Sequence, residues 1–173
     1  MVAVATPLLA VAQRRNGFTL AEMLVVILVI GLAAGFAYAR LDADPRQTMQ
    51  REAQRLAAAL EHAAALAQWR NQTLGVAASG ADYRFWRREP GADGDRWVPV
   101  TDDDVLQAHA LPADITATVR DYAGQPVAAD AILPLAASGR NEPFTIVVTS
   151  PEWRVLLVAD PLNRVALTAA SPR

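Results

Sequence analysis

One carboxylate in this chain sits where a carboxylate is costly. Within RRNGFTLAEMLVVILVIGLAAGFAYAR, residues 14–40, Glu22 is the only charged side chain between positions 18 and 39. An isolated ionised carboxylate at a bilayer centre costs about 3 kcal/mol on insertion scales, so Glu22 must lie near the headgroups or acquire a cationic partner. The other residues able to do chemistry point less sharply. His62 and His109 have no Cys partner, the chain containing none, and no metal spacing; they read as solvated or structural histidines. The TDDD run with Asp102, Asp103 and Asp104 could collect a calcium ion with nearby carbonyls. Val105, Leu106 and Gln107 follow it, however, without the glycine and distal glutamate of a helix-loop-helix calcium loop. A solvated acidic turn or helix start is the expectation there. Ser79 and Ser138 lack a nucleophile-elbow context and a base. No catalytic residue, cofactor or metal is therefore expected.

The elements that must hold Glu22 follow from length and pattern. At 173 residues and 18.5 kDa the chain has room for one membrane segment and one small soluble domain. A helix rising ~1.5 Å per residue needs about 20 residues to cross hydrocarbon, so residues 18–39 can span. Arg14 and Arg15 precede them and no comparable basic cluster follows closely, which predicts a cytoplasmic N-terminus and an external remainder. A secretory signal peptide fits poorly. The apolar segment is long for one, a carboxylate interrupts it, and AGFAYA is its nearest approach to a cleavage site. Gly31 and Gly35, four apart, suit either close helix packing or local flexibility.

Beyond the apolar run the helix is expected to continue to about Asn71. Pro45 reads as a kink or a first-turn proline, with Asp42 or Asp44 as its cap. Met49, Ala53, Leu56, Leu60, Ala63 and Ala67 then recur at spacings of four and three. A helix packed on a sheet explains that stripe; a coiled-coil partner would need a longer, less alanine-rich seam. Strands are predicted over residues 73–79, 82–88, 96–100, 115–119, 132–135, 144–149, 153–159 and 164–169. Pro99 places the third at an edge, and the last three should form an antiparallel meander. Trp69, Trp86, Trp97 and Trp153 are expected in the core or at interfaces, with core favoured for those on strands.

At RRNGFTLAEMLVV the chain resembles a type IV pilin or pseudopilin prepilin-peptidase site. A basic leader ends in Gly17; Phe18 follows, and a carboxylate stands at the fifth mature position. The resemblance implies cleavage between Gly17 and Phe18 and N-methylation of the Phe18 amine, which then lies within about one turn of Glu22. On that reading Glu22 pairs with the amine of a neighbouring subunit during assembly. The leader, MVAVATPLLAVAQ, is longer and more apolar than the usual short form. The later stretches YRFW, SGRNEPFTIVV and DPLNRVAL are similar to those of the GspH/FimT-type minor pseudopilins. That family often has glycine where this chain has Asn163, a residue type that tolerates a left-handed backbone.

The expected fold is α+β and type IV pilin-like, a long N-terminal helix, half of it transmembrane, packed on a mostly antiparallel sheet. Residues 1–17 would be leader, 18–39 the transmembrane segment, 40–72 its periplasmic continuation and 73–173 the head. The resemblance implies a type II secretion minor pseudopilin at or near the tip of a periplasmic pseudopilus, anchored beforehand in the bacterial inner membrane. Its partners would be the major and other minor pseudopilins, the prepilin peptidase and methyltransferase, and the inner-membrane assembly platform. The alternative is a FimT-like minor type IV pilin acting in pilus assembly or DNA uptake. Nucleic acid is disfavoured, since residues 46–173 carry 13 Arg against 15 acidic residues and only RFWRR clusters them beside aromatics.

Overall fold

The computed structural model describes residues 19–41, 44–92 and 94–173. They fall into two compact units divided after Asp42. The first holds helix α1, Leu20–Leu41. Thr19 caps it: its hydroxyl accepts the Glu22 N–H at 3.2 Å and its carbonyl accepts the Met23 N–H at 3.2 Å. The sequence Thr19-Leu20-Ala21-Glu22 has the Thr-x-x-Glu spacing of a capping box. Glu22 thus occupies the first helical turn, where a carboxylate favours the positive end of the helix dipole.

The second unit begins with helix α2, Pro45–Trp69. Asp44 is its N-cap, with backbone φ −53° and ψ 114°, and its side chain takes the Arg46 N–H at 2.9 Å. Pro45 sits at the first position, where its missing N–H costs nothing. The first-turn reading of Pro45 therefore holds, with Asp44 as cap; Asp42 lies outside the described residues. The expectation of one continuous helix does not hold, because the chain at Asp44 leaves helical backbone and α2 starts afresh. At the far end Asn71 turns left-handed at φ 49°, and the Asn71 and Gln72 N–H groups bond back to the Gln68 and Ala67 carbonyls. This is the paired bonding of a Schellman motif.

Among the described residues eleven strands follow: β1 Leu74–Gly80, β2 Asp82–Glu89, β3 Arg96–Pro99, β4 His109–Ala110, β5 Thr116–Tyr122, β6 Gln125–Pro126, β7 Leu133–Leu135, β8 Phe144–Thr149, β9 Trp153–Ala159, β10 Val165–Leu167 and β11 Ser171–Pro172. They make one antiparallel sheet with main path β10-β9-β8-β5-β1-β2-β3. Among the described residues its two halves join where Ser79 and Gly80 of β1 face Thr118 and Ala117 of β5. The C-terminal meander and the edge position of β3 are as expected. The central place of β5 was not foreseen, because nothing local in residues 116–122 says which strands they join.

All six residues of the helical stripe are buried, against Val76, Tyr83, Phe85, Phe144, Ile146, Val148 and Leu157 of the sheet. The tryptophans depart from expectation. None is in the fully buried core; Trp86, Trp97 and Trp153 are half-buried on strands, and Trp69 at the end of α2 is 83% exposed. Trp97 and Ile132 instead cover Gly75 on the face away from α2, where a Cβ would come within 2.9 Å of the Trp97 ring and 2.6 Å of Ile132.

Both ends of the sheet are blunted. The Val100 N–H donates to Phe85, so strand alternation turns the backbone of Trp97 and Pro99 outward, and Pro99 has no N–H to offer. On β10 the Thr168 N–H donates to Leu156, which turns Val165 and Leu167 outward. There the Val165 N–H is taken by the Glu61 carboxylate of α2 at 3.1 Å.

Candidate functional site

Two groups of side chains bear on function. The first is the head of α1. Gly17 and Phe18, with Arg14 and Arg15, lie outside the described residues. Glu22 lies in the first turn of the helix that follows them, its backbone N–H bound by the Thr19 cap. Behind it the large apolar side chains from Leu20 to Phe36 are exposed, including Leu20 at 84%, Ile27 at 70% and Phe36 at 71%. A helix apolar all round has no stable place in water and requires an apolar environment or partner. Among the described residues no helix is long and apolar enough to cross a membrane. The segment read from the sequence, 18–39, begins outside those residues.

The second group ties the loop after β3 to α2. His62 meets the Asp103 carboxylate at 3.0 Å, and the same carboxylate accepts the Val105 and Leu106 N–H groups. Burial pushes the Asp103 carboxyl up, but His62 and those two donors outweigh it and hold the group below its ordinary value. Asp102 bridges Arg70 at 3.3 Å and Arg87 at 3.0 Å, and Asp104 takes Gln107. The three carboxylates of TDDD thus turn to separate sets of partners; among the described residues no group of His, Cys, Asp and Glu could hold a metal ion. His109 bonds Glu52 of α2 at 2.8 Å, its ring tilted on Tyr83 at 5.1 Å. Both histidines act as structural pins. Ser138 bonds within its own turn to the Arg140 carbonyl, and Ser79 is exposed at the end of β1.

A third constellation escaped the sequence reading. Asn163, buried in the β9–β10 turn with φ 62°, accepts from the Asn141 side chain and donates to the Gly139 carbonyl. The Asn141 side-chain oxygen in turn takes the Ala136 N–H at 2.6 Å. The SGRN and DPLN turns are stapled together by two asparagines. Only the pairing of the two Asn in matching turns could have suggested it. The arginines of RFWRR are all engaged: Arg84 by Asp82, Arg87 by Glu89 and Asp102, Arg88 by Asp95.

The comparisons agree with this division. A family model for the prokaryotic N-terminal methylation motif matches residues 12–38. One for type II transport protein GspH matches residues 52–165. No curated protein matches the chain. Among solved structures, the minor pseudopilin EpsH of the Vibrio cholerae type 2 secretion system is similar at 18% identity and TM-score 0.56, over 70% of this chain and 96% of that one. The solution structure of Escherichia coli GspH is similar at 20% identity and TM-score 0.55, over 74% of this chain and 92% of that one. With the family model covering more than half of its length, and a helix-on-sheet head shared with those proteins, the chain belongs to the GspH family of type II secretion minor pseudopilins.

Proposed function

We propose that this chain is a non-catalytic subunit that joins the major and other minor pseudopilins at or near the tip of the periplasmic pseudopilus. Before assembly it is held in the inner membrane by residues 18–39, with its N-terminus cytoplasmic and its head periplasmic. The observation that carries the reading is the placement of Glu22 in the first turn of an exposed apolar helix, immediately behind Gly17 and Phe18. Cleavage there frees an amine about one turn from the carboxylate. A helix leaving lipid for the bundle can then neutralise Glu22 against a neighbour's Phe18 amine, removing the cost of an unpaired charge.

Mass spectrometry of the mature chain is expected to find a methylated N-terminal Phe18; an intact leader or a cut after Ala37 or Ala39 overturns the reading. Glu22→Ala is expected to lower co-purification with partner pseudopilins at least several-fold while the head unfolds at an unchanged temperature. Unchanged recovery would sink the assembly role. The DNA-uptake alternative gains no support from the head, where the clustered arginines are already paired with carboxylates.

A further inference from the structure

Three residues separate Leu41, the last of α1, from Pro45, the first of α2. Four chain steps reach at most roughly 14 Å, so chain length alone bounds how far the start of α2 can lie from the outer end of an anchor over residues 18–39. At that start the head carries a cleft of about 290 Å³. Its walls are Pro45 and Thr48 of α2, Pro112 and Ile115 before β5, and Pro151 and Trp153 at the β8–β9 turn. The Arg46 guanidinium lies over the Trp153 ring at 4.9 Å. Asp114 and Glu152 stand exposed on the rim, and among the described residues neither has an ion pair.

An apolar floor with a cation on one side and two carboxylates on another is complementary to a group carrying both charges. Tryptophan and arginine are also the side chains that settle at a bilayer interface, ring or stem in the apolar layer and polar end in the headgroups. We propose that this cleft seats the headgroup of a zwitterionic phospholipid of the periplasmic leaflet, its phosphate beside Arg46 and its ammonium beside Asp114 and Glu152. The carboxylates disfavour a purely anionic lipid. The inference rests on the reading of residues 18–39 as the membrane anchor.

The absence of cysteine from the chain gives a direct test. Ala113→Cys, in the cleft wall, and Ala92→Cys, in the β2–β3 turn, are both exposed and each accepts one nitroxide. The mature full chain is placed in phosphatidylethanolamine and phosphatidylglycerol vesicles, floated, and its collisions with oxygen and with an aqueous nickel chelate compared. The oxygen-to-nickel ratio is expected to be several-fold higher at position 113 than at 92, and to fall at least two-fold in Arg46→Gln or Glu152→Gln. Equal ratios in floated vesicles overturn the inference and leave the anchor standing. A high ratio that neither variant changes overturns the headgroup assignment. A chain that does not float overturns both readings.

Discussion

At the scale of single residues, Asn163 does two jobs that one glycine cannot. Its left-handed backbone would suit glycine better, but its amide also joins the SGRN and DPLN turns. Asn163→Gly is expected to keep the turn and lose the staple, at about 1 kcal/mol. Asn163→Ala adds the strain of a left-handed alanine, bringing the loss to about 2–3 kcal/mol. Urea unfolding of the two variants checks the order. Asp103, like Asp160, contributes to the pH dependence. Its carboxyl is held below the ordinary value in the folded chain, so its contribution is present above the ordinary aspartate range near 3.9 and is lost as pH falls through the lower folded value. Acidification from pH 5 to pH 3 is therefore expected to destabilise the native chain more than Asp103→Asn, read as the fall in unfolding temperature.

The elements were legible wherever one residue type marks them. Pro45 with Asp44 announces the start of α2, Pro99 announces an edge, and the spacing from Met49 to Ala67 announces the face that packs on the sheet. What stayed hidden were relations between distant segments. No local pattern pairs His109 with Glu52, places β5 between β8 and β1, or says that Trp97 lies over the sheet's second face while Trp153 packs against the edge of the core. Gly75 shows why. A glycine inside a strand weakens it in isolation, yet here it makes room for Trp97 and Ile132. Gly75→Ala is expected to cost about 1–3 kcal/mol and to shift tryptophan emission as the Trp97 ring is displaced. An unchanged unfolding curve and spectrum would refute that packing role. The Thr19 cap is written in the sequence as Thr-x-x-Glu, which places Glu22 in the first turn of α1.

At the scale of the whole molecule, the division after Asp42 separates a segment that needs an apolar environment from one with its own core. Residues 44–173 are expected to fold alone as a water-soluble unit, unfolding within a few degrees of the detergent-solubilised full chain; calorimetry of both decides it. The blunted sheet ends bear on a different matter. A protein made to polymerise is crowded against copies and relatives of itself, the condition in which bare strands zip together irreversibly. With Pro99 removing one outward donor and Glu61 occupying another, the head is discouraged from the one mode of growth that could not be taken apart again.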